Sequence, residues 1–161
     1  MRIVTRANVL LMVAAFAMAA AGAILWLREP VTPLTREGLA GARQRWRESG
    51  IASYELRYRM HGSEYAVRTK SRIVEDVAVN GQVPTSGNWS VYGVEGLFDT
   101  LAQELDNAAD PAGPFAGGKA ILLRVRFHPE LGYVERYLRS SGGGARGASL
   151  DQVNFRRLDG P

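Results

Sequence analysis

The stretch Tyr54-Glu55-Leu56-Arg57-Tyr58-Arg59-Met60 decides the fold: Tyr54, Leu56, Tyr58 and Met60 alternate with Ser53, Glu55, Arg57 and Arg59. A period of two over eight residues puts the apolar side chains on one face of a strand and the polar ones on the other. His61-Gly62-Ser63 reads as a turn, and Tyr65, Val67 and Thr69 resume the alternation. Ile73 to Val79 supplies a third strand with Val77 and Val79 on one face, and Asn80-Gly81 is a tight-hairpin signal. Strands joined by turns this short pair antiparallel, with one face on the core and one in water.

Helical periodicity flanks this unit on both sides. Leu39, Ala42 and Trp46 fall at i, i+3 and i+7, predicting a helix from Leu34 to Ser49 with Gly50 as its terminating glycine. Its opposite face carries Arg36, Arg43 and Arg47, which reads either as a contact for anionic lipid headgroups or as a solvated face. Val94, Leu97, Phe98, Leu101 and Leu105 form the stripe of a second helix from Val94 to Ala109. Asp110-Pro111-Ala112-Gly113-Pro114 ends it.

Ile121, Leu123, Val125 and Phe127 alternate as a further strand, Pro129 to Gly132 turns, and Tyr133 to Arg139 returns. Ser140 to Gly147 is glycine-rich loop, and Val153 with Phe155 marks a short last strand. The expected order is α-β-β-β-α-β-β-β without internal repeat. It describes an α+β fold of two layers, an antiparallel sheet covered by two helices. The expected organisation is an anchor over residues 1–29, a linker over 30–34 and an α+β envelope domain over 35–161.

A run without charge precedes all of this, from Val9 to Leu27. As a helix rising about 1.5 Å per residue, it matches the roughly 30 Å hydrocarbon core of a bilayer. Arg2 and Arg6 mark one interface, Trp26 and Arg28 the other, and Pro30 stops the helix. Span length favours an uncleaved anchor, since cleavage after Ala23 leaves an apolar Ile24-Leu25-Trp26-Leu27 terminus. The alternative is a signal peptide cut at Ala17-Met18-Ala19 or Ala21-Gly22-Ala23, releasing a secreted domain. The short basic N-terminus directs the domain outward, to the periplasmic side of an inner membrane. A literal count of Lys and Arg within twenty residues of the span, two before and five after, favours a cytoplasmic domain instead.

The chain has 161 residues, with 20 Lys and Arg, 16 Asp and Glu, two His and no Cys. The absence of Cys excludes disulfide scaffolds, thiolate metal sites and Cys nucleophiles. Arg2 and Arg6 lie ahead of the apolar run and every acid after it, so the remainder is nearly balanced, 18 basic against 16 acidic. Nucleic-acid binding needs a concentrated basic face and is not expected.

No Gly-x-Ser-x-Gly elbow, His-Glu-x-x-His helix or phosphate-cradling loop is present, so neither cofactor nor metal is expected. The weak catalytic candidate is His128 acting as an acid-base couple with Glu130 or Glu135, as in a small hydrolase or metal-dependent enzyme. The candidate partner-binding surface is Trp89 and Tyr92, aromatics in a loop-like stretch, with Arg57 and Arg59 on the solvent face of the first strand.

Trp46, the run Gly50-Ile51-Ala52-Ser53-Tyr54, Val77-Ala78-Val79-Asn80-Gly81, Leu97-Phe98 and the run from Arg124 to Tyr133 occur together and in order. In these residues the chain, over about 40–158, resembles a bacterial family of small secreted or lipid-anchored proteins of unknown function. Members of that family often carry cysteines soon after the first strand's Tyr, and this chain has none. The resemblance implies an α+β envelope domain and no defined activity. The expected function is that of a membrane-anchored, non-catalytic binding or accessory protein of the bacterial envelope. Its partners would be membrane lipid through Val9 to Leu27 and a protein in or at the membrane.

Overall fold

The computed structural model describes residues 31–110, 112, 121–141 and 147–158. The segment expected to be an anchor, with Arg2, Arg6, Trp26 and Arg28, lies outside the described residues. No helix among those described is long and apolar enough to cross a membrane.

The elements are β1 (Thr32–Pro33), α1 (Arg36–Glu48), β2 (Tyr54–Met60), β3 (Ser63–Lys70), β4 (Ile73–Val79), a 3-10 turn (Trp89–Tyr92), α2 (Val94–Ala109), β5 (Ile121–Phe127), β6 (Val134–Ser141) and β7 (Ser149–Arg157). The described strands form one sheet in the order β1-β5-β6-β7-β2-β3-β4, antiparallel at each pairing. Two three-stranded meanders, each preceded by a helix, thus lie side by side and meet where β7 pairs with β2. Antiparallel strands need only short connections, so the helices make the two long crossings, α1 from β1 to β2 and α2 from the β4 edge to β5.

Thr35 caps α1, its side chain accepting from the Gly38 N–H at 3.0 Å, and Gly50 follows the helix at φ +65. Leu39, Ala42 and Trp46 of α1 share a core with Val94, Leu97, Phe98 and Leu101 of α2 and with Tyr54, Leu56, Tyr58, Val67 and Val77 of the first meander. The alternation in β2 therefore does what its period implies. Tyr54, Leu56 and Tyr58 are buried against the helices, while Arg57 is exposed on the other face.

Three expectations need correction. Thr32–Pro33, within the expected linker, is a strand pairing with Val125 and Arg124, and Leu34 beside it is buried. Proline is tolerated there because β1 is an edge strand, whose outward side needs no donor. The last strand is nine residues long and central, not short. Its alternation is interrupted by Gln152 at φ +53, where the pairing with β2 shifts register between Arg57 and Arg59. Trp89–Tyr92, expected as loop, is a 3-10 turn whose Asn88 side chain accepts from the Ser90 N–H at 3.1 Å.

Candidate functional site

A groove of about 400 Å³ lies at one end of the helical layer, lined by Arg43, Trp46, Arg47, Arg72, Glu95, Phe98 and Asp99. Helical spacing brings Arg43 and Arg47 to one side of α1, one turn apart. Glu95 and Asp99 have the same relation on α2. Arg43 pairs with Asp99 at 2.8 Å and lies 5.7 Å from the centre of the Phe98 ring, joining the two helices. Arg36, the other arginine of the basic face, pairs with Asp106 at 2.7 Å. Two of the three arginines of that face are thus committed to α2, and Arg47 alone stays free of acids among the described residues.

Beneath the groove sits a polar knot. The Trp46 indole N–H donates to Glu95 at 2.9 Å, and the Tyr54 hydroxyl donates to the other Glu95 oxygen at 3.2 Å while accepting from the Val94 N–H at 2.9 Å. Burial pushes the Tyr54 pKa up to about 12, with the Glu95 charge acting in the same direction. The Trp46 and Tyr54 rings meet edge to face at 5.3 Å.

Arg72 reaches the groove from the turn between β3 and β4. Lys70 pairs with Ile73, leaving Ser71 and Arg72 as a two-residue loop with φ of +49 and +66. Such a loop normally holds Asn-Gly, because each non-glycine residue in the left-handed region costs about 1–2 kcal/mol. The turn is pinned by the Arg72 N–H donating to the Ala52 carbonyl at 2.7 Å and by the Ser71 N–H donating to the Ser53 hydroxyl at 3.3 Å. Nothing in the sequence pattern marked Arg72, since the strain becomes visible only once the register is known.

The expected partner surface divides between two faces. Tyr92 is half-buried on the helix side of the sheet, stacked on Tyr65 at 5.6 Å, while Tyr65 stacks on Tyr58 at 4.9 Å. The Tyr58 hydroxyl donates to the Tyr92 carbonyl at 3.2 Å. Trp89 is likewise half-buried against the core. Arg57 and Arg59 project from the open face, where Arg59 pairs with Glu64 at 2.7 Å and the Arg57 guanidinium has no partner among the described residues. That face is a charge ladder: Arg156, Glu55, Arg68 and Asp76 follow one another across four strands.

The His128 imidazole has a structural task. Its Nδ1 accepts from the backbone N–H groups of Glu130 at 3.3 Å and Leu131 at 3.1 Å, and its ring stacks on Tyr133. Glu135 pairs with Arg126 at 3.0 Å, and the Glu130 side chain is exposed. No hydrogen bond joins His128 to either carboxylate among the described residues, so the structure does not assemble the expected acid-base couple. No three His, Asp or Glu side chains among those residues converge on a metal-sized site.

Comparisons of the chain with family models, curated proteins and solved structures find no match in any of the three.

Proposed function

We propose that this protein is a non-catalytic binding module of the bacterial envelope, tethered by Val9 to Leu27 with its α+β domain on the periplasmic side. One observation carries the non-catalytic part. The imidazole of His128 and the carboxylates of Glu95, Asp99, Glu104 and Glu135 are held by backbone, aromatic or arginine partners, whereas the Arg47, Arg57 and Arg72 guanidiniums have none among the described residues. Acid-base chemistry needs a titrating group poised toward substrate, while recognition needs fixed donors facing solvent. The tether rests on the length and flanks of the uncharged run.

The test is a fusion of the full chain to a phosphatase that folds only outside the cytoplasm. It is combined with fractionation and mild-detergent co-purification from a Gram-negative host. Phosphatase activity in the membrane fraction, with the first 27 residues intact and a stoichiometric membrane protein co-purifying, is the expected result. A soluble product beginning near Ile24 removes the tether in favour of a secreted domain. An inactive fusion that stays in the membrane places the domain in the cytoplasm.

A further inference from the structure

We propose that the groove between α1, α2 and the β3–β4 turn binds a phosphate group, carried on a free phosphate ester or on a phospholipid headgroup. The proposal deepens the binding-module reading and rests on it, but it does not depend on the tether.

The lining divides sharply between occupied and unoccupied charge. Both Glu95 oxygens accept from Trp46 and Tyr54, and Asp99 accepts from Arg43. The Arg47 and Arg72 guanidiniums, from elements separated in sequence, line the same groove without a partner among the described residues. Arg43 adds a third positive charge at the groove wall, with one of its terminal N–H groups already given to Asp99. The backbone of Arg72 is held by its N–H bond to the Ala52 carbonyl and by the Ser71 N–H bond to the Ser53 hydroxyl, and it keeps a conformation that glycine would adopt more easily. A strained residue fixed at the rim of a groove is where stored strain points to recognition.

The chemistry of the ligand follows from the donors. Guanidinium forks match phosphate oxygens in pairs, and a tetrahedral dianion can accept from several forks at once. A single carboxylate offers fewer oxygens and less charge to set against the lining carboxylates of Glu95 and Asp99. At about 400 Å³ the groove exceeds a bare phosphate, leaving room for an organic group against Trp46 and Phe98.

The test uses the full chain in a sugar-based detergent free of phosphate, followed by NMR at the Nε–H of Arg47 and Arg72 and the indole N–H of Trp46. It is titrated with glycerol 3-phosphate and, separately, with micelles doped with phosphatidylglycerol or with neutral diacylglycerol. Saturable shifts with glycerol 3-phosphate assign a free ester. Shifts with phosphatidylglycerol micelles alone assign a headgroup. Arg47→Gln and Arg72→Gly should each weaken binding roughly tenfold or more, as loss of a charge-assisted bond requires.

The Trp46 indole resonance reports an intact fold in both variants, and Arg72→Gly relieves backbone strain, so lost binding cannot be ascribed to unfolding. Absence of shifts with both probes overturns the site, as do equal shifts with chloride at matched ionic strength or undiminished binding in both variants. Export and membrane retention are read in the fusion assay and remain unchanged in Arg72→Gly, so failure of the groove and failure of the tethered reading are separately visible.

Discussion

The indole N–H of Trp46 and the carboxylate of Glu95 are 2.9 Å apart, and this bond ties the middle of α1 to the first turn of α2. The Tyr54 hydroxyl binds the same carboxylate, so one exposed glutamate completes the bonding of two buried aromatics. Glu95→Ala leaves the indole N–H and the Tyr54 hydroxyl without this acceptor at a partly buried site and should cost about 1–3 kcal/mol. Glu95→Gln keeps an acceptor and should cost about 1 kcal/mol or less. Urea unfolding of the two variants checks this. Equal losses would show that the carboxylate acts through charge and not as an acceptor.

Tyr54 couples the same cluster to alkaline pH. Burial raises its pKa from 10.0 to about 12 in the folded chain. Between those values the unfolded chain loses a proton that the folded chain retains. The contribution of Tyr54 to stability is therefore full below pH 10 and is lost as pH rises toward about 12. Tyr133, pushed up to about 12 by burial and by Glu135, acts in the same window. Subtracting the stability-pH curve of Tyr54→Phe from that of the parent isolates the tyrosine. A difference that stays flat through this window contradicts the assignment.

Arg72→Gly should stabilise the chain by about 1 kcal/mol. The substitution puts glycine at the second position of a turn whose φ values, +49 and +66, glycine adopts without penalty. Flexibility gained by the unfolded chain offsets part of that gain. The midpoint of urea unfolding should rise without a change in slope. A fall in the midpoint means that the Arg72 side chain contributes more in place than its backbone strain costs.

Much of this architecture was legible in the residues. The alternation of Tyr54, Leu56 and Tyr58, the stripe of Val94, Leu97, Phe98 and Leu101, and the Asn80-Gly81 turn report local periodicity, which the fold preserves. What was hidden depends on partners distant in sequence. The β7 strand is central yet polar in pattern, because Phe155 alone carries its aromatic packing, against Trp46 and Tyr133, while Gln152 breaks the period. The Thr32–Pro33 strand exists only because the edge of β5 is there to receive it. The groove escaped for the same reason: Arg47 and Arg72 come to line one groove only when hydrogen bonds pin one hairpin beside the start of β2. A histidine before Pro-Glu reads either as a weak acid-base candidate or as a strand-end hydrogen-bonding group, and the folded turn shows its Nδ1 accepting from two backbone N–H groups.

That turn makes the sharpest prediction about stability. Gly132 has φ +80, and a Cβ built on it would lie 2.2 Å from the Ala42 carbonyl oxygen of α1. Gly81 has nearly the same φ, +78, with nothing within 4 Å of the equivalent point. Gly81→Ala should therefore cost only the backbone strain, about 1–2 kcal/mol. Gly132→Ala adds a clash with helix backbone, which has no rotamer to yield, and should cost about 3 kcal/mol or more. His128→Ala removes the acceptor of two backbone N–H groups in the same turn and should cost about 1 kcal/mol, since water reaches that surface. The unfolding midpoint should fall most for Gly132→Ala, less for Gly81→Ala and least for His128→Ala. Equal losses at the two glycines would mean that the turn stands off α1 and that the contact with Ala42 does not organise this end of the sheet.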